Sequence, residues 1–206
     1  MKKYSVEQRG RSMIEMLGVL AIVGVLSVAG IAGYSKAMSK YKINKITDQF
    51  STVAANVKTM FASVGRYDGL TGLETAFNLG LLPEDMTKGC NEDGADADSC
   101  IVNALNGGVE IKHTATNRAF VIAMDGLSKD ACSTLATYDW GGPTGVSYIK
   151  VAGESLIDDD FNDTEDTDTE NGIVSTTETK AAEAFAAASH CTCHGSNSCS
   201  VAVVYF

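Results

Sequence analysis

The sequence predicts an α+β protein: one long N-terminal helix followed by a small antiparallel sheet. Three observations predict it. No proline interrupts residues Arg11 to Val64. The apolar residues in the second half of that stretch recur at steps of three and four, which is helical period. Beyond it come short β-prone runs bounded by polar turn residues.

The helix divides by polarity. Met13 to Tyr34 is an apolar run of 22 residues broken by one charge, Glu15. At 1.5 Å per residue such a run spans about 30 Å of hydrocarbon. Gly18, Gly24, Gly30 and Gly33 each weaken this half by up to about 1 kcal/mol relative to alanine, while letting helices approach closely. From Ile43 the apolar positions are Ile46, Phe50, Val53, Val57, Met60, Phe61 and Val64. They form one stripe, so the second half needs a domain on one face only. Gly65 is the expected stop. A continuous helix over Arg11 to Val64, 54 residues, would be about 80 Å long.

Residues 66–206 read as one small α+β domain. Gly107 to Ala115 and Arg118 to Met124 are strand candidates around a Thr116-Asn117 turn. A helix follows, with Ser128 as N-cap and Ala131, Leu135 and Tyr138 on one face. Gly145 to Val151 is a further strand, and the terminal Ser200 to Phe206 alternates in a way that can close a sheet. No internal repeat is visible.

Charge narrows the function classes. The 206 residues carry a formal net charge of −10, which argues against a nucleic-acid groove built from clustered Lys and Arg. Lys36, Lys40, Lys42 and Lys45 do cluster just past the apolar run. They read as a solvated helix face that touches lipid headgroups, and with Lys2, Lys3 and Arg9 on the other flank they blunt the positive-inside rule. No phosphate-binding glycine loop, nucleophile elbow or zinc-protease helix is present, and no enzyme is predicted.

The N-terminus carries the most specific signal. A basic leader ends in Gly10, an apolar segment follows, and Glu15 is the fifth residue after that glycine. This arrangement resembles the class III signal of type IV prepilins and pseudopilins. The resemblance implies that a prepilin peptidase cuts after Gly10 and that Arg11 becomes the mature, N-methylated terminus. Arg11 departs from the Phe or Met usual there. Loss of residues 1–10 removes Lys2, Lys3, Arg9 and Glu7, a net +2, so the mature chain would carry −12. A charge within a bilayer-length segment points to function and asks for a partner. The resemblance gives Glu15 an assembly role opposite the amine of Arg11 on a neighbouring subunit. A plain signal anchor explains the apolar run but needs neither Gly10 nor Glu15.

The domain boundaries that follow are a leader at 1–10, a transmembrane and assembly half-helix at 11–34, an amphipathic half at 35–65 and a globular domain at 66–206. Together they describe the pilin α/β-roll. The N-terminus would face the cytoplasm and the rest would lie outside the bacterial inner membrane, later in a pilus fibre in the periplasm or at the cell surface. The implied partners are other copies of the chain in a helical homopolymer, the peptidase, an inner-membrane assembly platform and the membrane itself. No nucleic-acid specificity is expected. The alternatives are a pseudopilin of type II secretion, and a membrane-anchored periplasmic enzyme or metal-binding protein.

Six cysteines, Cys90, Cys100, Cys132, Cys191, Cys193 and Cys199, favour disulfides in an exported domain and allow fifteen pairings. The contexts DACSTL and AAASHC resemble type IVb pilins, in which a central helix is tied to the C-terminal region. That resemblance implies Cys132 with Cys191, or else with Cys193 or Cys199, a local Cys90–Cys100 bridge, and Cys193–Cys199 closing a short loop. A zinc site at His190, Cys191, Cys193, His194 and Cys199 is the sharper alternative, but its ligand spacing is too tight for the usual structural sites.

Residues 158–170 hold eight acids in thirteen positions. Asp158, Asp160 and Asn162 imitate the start of a calcium loop, but Asp163 stands where glycine is needed and Thr169 where glutamate is needed. Calcium is therefore a weak candidate, and a solvated loop the simpler one. No cofactor is expected.

Overall fold

A computed structural model describes residues 13–90, 97–138, 140, 145–157, 160–162, 173–175 (backbone), 189–193 and 199–206. It divides into two compact units, Met1–Tyr41 and Lys42–Phe206.

The first unit is the N-terminal portion of helix α1, Met13–Phe61. Every described residue up to Tyr41 is exposed. The helix is long and apolar enough to cross a membrane. A Cβ on any of Gly18, Gly24, Gly30 or Gly33 would meet nothing within 4 Å.

Among the described residues, the second unit holds the rest of α1, four short helices and a sheet. The helices are α2 (Leu73–Asn78), α3 (Glu84–Thr87), α4 (Ala97–Cys100) and α5 (Lys129–Ala136). The strands are β1 (Val109–His113), β2 (Phe120–Leu127), β3 (Val146–Ala152), β4 (Ile173–Ser175) and β5 (Cys199–Tyr205). Their order is β1-β2-β5-β3-β4, and every pairing is antiparallel. The architecture is thus α+β, as the sequence predicts.

The period-two pattern of the strands sorts two apolar layers. Ile111, Phe120, Ile122, Met124, Ile149, Val151, Val201, Val203 and Tyr205 share one core with Ile46, Phe50, Val53 and Val57 of α1. Val121, Ala123, Tyr148, Ala202 and Val204 form a second cluster on the opposite face, joined by Leu156 and Phe161. The register shifts between Val146 and Tyr148, so Val146 and Ile149 both reach the first core despite their odd spacing.

Several expectations need correction. Helix α1 ends at Phe61, not Val64. Val64 and Gly65 both donate to the Phe61 carbonyl, each at 3.0 Å. Gly65 takes φ +68°, which only glycine adopts cheaply, so it closes the turn as a stop should. Met60 and Val64 are exposed, so the buried stripe stops at Val57 with Phe61 half-buried. Ser128 caps α5 by accepting from the Ala131 N–H at 3.3 Å. Tyr138 lies beyond the end of α5 and is exposed, not on its buried face. Strand β2 runs on to Leu127 through a bulge at Gly126, φ +70°. The terminal strand β5 is the middle of the sheet rather than its closing edge, and all seven of its residues are buried. Helices α2 to α4 and strand β4 carry too few residues to leave a periodic signal.

Candidate functional site: the apolar helix and the elements that clamp the domain

The exposed part of α1 is the most unusual surface among the described residues. Met13, Ile14, Leu17, Leu20, Ile22, Val25, Leu26, Val28 and Ile31 are each more than 60% exposed. Contiguous apolar surface beyond a few hundred Å² marks a membrane or protein contact. Glu15 is exposed in the first helical turn, where the positive end of the helix dipole favours a carboxylate. Gly10 and Arg11 lie outside the described residues. Of the basic cluster, Lys36 and Lys40 are exposed and Lys42 and Lys45 are half-buried.

Lys45 pairs with Asp85 at 3.2 Å. Buried Gln49 donates to the same carboxylate at 2.6 Å and accepts from the Ala104 N–H at 3.1 Å. Partial burial alone would raise the Asp85 pKa, but the hydrogen bonds from Gln49 and Lys45, with the charge of Lys45, hold it below the usual carboxylate range. These contacts fasten α1 to α3 and to the chain before β1. Two turns further on, the Asn56 amide donates to the Leu81 carbonyl at 2.9 Å. Sequence reasoning missed this clamp. Its signal was Gln49 itself, a polar residue next to Phe50 in the apolar stripe.

Three disulfides close the domain. Cys90 bonds Cys100, Cys132 bonds Cys191 and Cys193 bonds Cys199, with Cα separations of 5.0, 6.0 and 4.8 Å. Cys132 is buried on α5 and Cys199 opens the central strand. The bridged sulfurs at Cys191, Cys193 and Cys199 are not thiolates, so the zinc set loses its soft ligands. His194 lies outside the described residues. Of the calcium candidates, Asp158 also lies outside them, and Asp160 and Asn162 are exposed. No cluster of three metal-ligating side chains occurs among the described residues.

A cavity of about 270 Å³ between α1 and the end of β5 is lined by Ser51, Ala54, Lys58, Tyr138, Trp140 and Tyr205. Lys58 donates to the Gly145 carbonyl at 2.9 Å and lies 5.4 Å from the Tyr205 ring centroid. Burial lowers the Lys58 pKa and pushes the Tyr205 phenol up. The cavity is smaller than the about 300–1,000 Å³ of ordinary ligand sites, and Phe50 packs at a tilt against its Trp140 wall, with ring centroids 5.1 Å apart. It is a packing feature of the helix–sheet joint.

Comparison with known proteins adds the following. The family described as PilS N terminal matches residues 40–201. No curated protein matches the chain. Among solved structures the chain is similar to TcpA, a type IV pilin from Vibrio cholerae El Tor biotype. The identity is 22%, over 80% of this chain and 98% of that one, with a TM-score of 0.48.

Proposed function

The chain belongs to the PilS N-terminal family of type IV pilins, and from that premise we propose that it is the structural subunit of a type IV pilus. It enters the inner membrane as a prepilin with its N-terminus in the cytoplasm. A prepilin peptidase cuts after Gly10, and Arg11 becomes the methylated terminus. An inner-membrane assembly platform then stacks the subunits through their N-terminal helices. The single observation that carries this reading is the exposed apolar surface of α1. Only lipid or further copies of the same surface can cover it from water. The four glycines with open space around them suit close helix–helix approach. Glu15 supplies a charge near one end of that surface, opposite the Arg11 amine of the next subunit. The role calls for no metal or cofactor.

The test is mass spectrometry of material sheared from cells, with electron microscopy of the same fraction. Filaments built of a chain beginning at Arg11, with three disulfides, are expected. A chain that keeps Met1 to Gly10 in the fraction, or the absence of any filament holding it, contradicts the reading. Filaments confined to the periplasm would point to a secretion pseudopilin instead.

A further inference from the structure

The chain between α4 and β1 holds a chemically labile link that fibre assembly leaves unused. Two Asn-Gly pairs occur in the sequence, Asn106-Gly107 and Asn171-Gly172. The second lies outside the described residues. The carbonyl carbon of an asparagine side chain is open to attack by the main-chain nitrogen of the next residue, because the product is a five-membered ring. Glycine in that next place speeds the attack, since no Cβ crowds the nitrogen and the backbone turns freely. The nitrogen must first lose its proton. An N–H sealed in a hydrogen bond away from water therefore does not react.

The structure seals this one. Asn106 is exposed and takes φ +62°, while Gly107 is buried. The Gly107 N–H donates to the Asn103 Oδ1 at 3.1 Å, and the same oxygen accepts from the Leu105 N–H at 2.8 Å. Asn103 is only 2% exposed, and its Nδ2 donates to the Asp125 carbonyl at 2.8 Å. Two main-chain bonds close the loop. The Asn106 N–H donates to the Asn103 carbonyl at 2.9 Å, and the Asn103 N–H to the Gly107 carbonyl at 3.0 Å. The residue to be attacked thus faces water, and the attacking nitrogen is closed off beneath it.

We propose that Asn106 is a site of spontaneous deamidation and that Asn103 is the positioning residue that holds the reaction off in the folded domain. Nothing in this step depends on the fibre role. When the loop opens, hydroxide takes the Gly107 amide proton and the nitrogen attacks the Asn106 Cγ. The N–Cγ bond forms as the Cγ–Nδ2 bond breaks, and Nδ2 leaves as ammonia with a proton from water. Water then opens the ring at either carbonyl, leaving aspartate or isoaspartate at position 106. No oxidant or reductant is needed. Isoaspartate lengthens the main chain by one atom. That extra atom falls beside Gly107, where even an added Cβ would overlap the Asp125 carbonyl. The altered loop therefore cannot close as before.

The test follows conversion of the Asn106 amide to acid by peptide mass in full-length protein at one mildly alkaline pH. The protein is either folded in detergent or unfolded in guanidinium chloride with its disulfides intact. Amide hydrogen exchange of the folded sample reads the Gly107 N–H and strand β2. Conversion should be slower in the folded chain by about tenfold or more, because only the locally open form reacts. The slowing should match the protection of the Gly107 N–H against exchange. Asn103→Ala should abolish it while the β2 amides stay protected. Wild type that converts equally fast folded and unfolded overturns the inference. So does an Asn103→Ala chain in which β2 is protected and Asn106 is as stable as in wild type. If Asn103→Ala does not fold, wild type decides alone: matching protection of Gly107 and Asn106 supports the inference, and a mismatch overturns it.

Discussion

Gln49 sits beside Phe50 in the apolar stripe of α1 and ties that helix to α3 and to the chain before β1. Its amide donates to Asp85 and its carbonyl accepts from Ala104. Gln49→Leu would keep the volume but leave the buried side of this clamp short of both partners. A loss of about 1–3 kcal/mol is expected, read as a lower urea midpoint in full-length protein in detergent. Asp85 adds a pH dependence whose sign is fixed. Its folded-state pKa is lowered, so its contribution is present above the unfolded value of about 4 and is lost as pH falls through the folded value. Asp85→Asn should therefore reduce stability at neutral pH and flatten its decline between pH 4 and more acid conditions, both by comparison with that value of about 4. An unfolding midpoint that falls as steeply with acid in Asp85→Asn as in wild type would contradict this. Backbone crowding makes a second residue-scale prediction. A Cβ on Gly107 would overlap the Asp125 carbonyl and meet the Asn103 Nδ2 at 2.9 Å. Asn103, itself buried, accepts from the N–H groups of Leu105 and Gly107 and donates to Asp125. Gly107→Ala should cost about 1–3 kcal/mol or more, because backbone rather than a flexible side chain must move. Gly145→Ala is the comparison, since there a Cβ would meet only the end of Lys58 at 3.5 Å and the Trp140 carbonyl at 3.9 Å.

At the scale of elements, the disulfides differ in what they close. Cys132 and Cys191 are 59 residues apart, Cys90 and Cys100 only 10. Chain entropy makes the longer loop worth about 1.5 kcal/mol more. Cys132→Ser should accordingly lower the unfolding midpoint more than Cys100→Ser, and thiol labelling of denatured wild type should find no reactive cysteine. Labelling that does find one would contradict the bridges. The elements also show how far the sequence could be read. The stripe from Ile43 to Val57, the N-cap at Ser128 and the terminal strand were legible because each rests on a local rule of period or capping. The end of α1 was not, since Met60 and Val64 continue the helical spacing and only tertiary packing leaves them in solvent. The centrality of β5 was not legible either, because sequence shows strand period but not strand order. Spacing left most of the fifteen cysteine pairings open; the resemblance singled out Cys132 with Cys191. The Gln49–Asp85 clamp joins residues 36 apart; a polar residue beside Phe50 signals a buried partner, but nothing local says which residue that is.

The whole molecule joins two units of opposite solvent demand in one chain. The unit Lys42–Phe206 buries its apolar residues on both faces of its own sheet. The unit Met1–Tyr41 buries none that are described. A type IV pilin resolves that demand twice, first in lipid and then in the fibre. In the assembly role proposed above, Glu15 would distinguish the two settings. In lipid a carboxylate in the apolar segment is a cost, while in the fibre bundle it can face the Arg11 amine of a neighbour under weak screening. With cleavage after Gly10, as proposed, Arg11→Phe would keep that amine and should be tolerated. The most direct test of assembly through the N-terminal helix is the amount of Glu15→Ala subunit in sheared fibres relative to membrane, in cells that make only the mutant. Membrane insertion is expected at or above the wild-type level, with the subunit missing from fibres. A Glu15→Ala chain that enters fibres as well as wild type would contradict it.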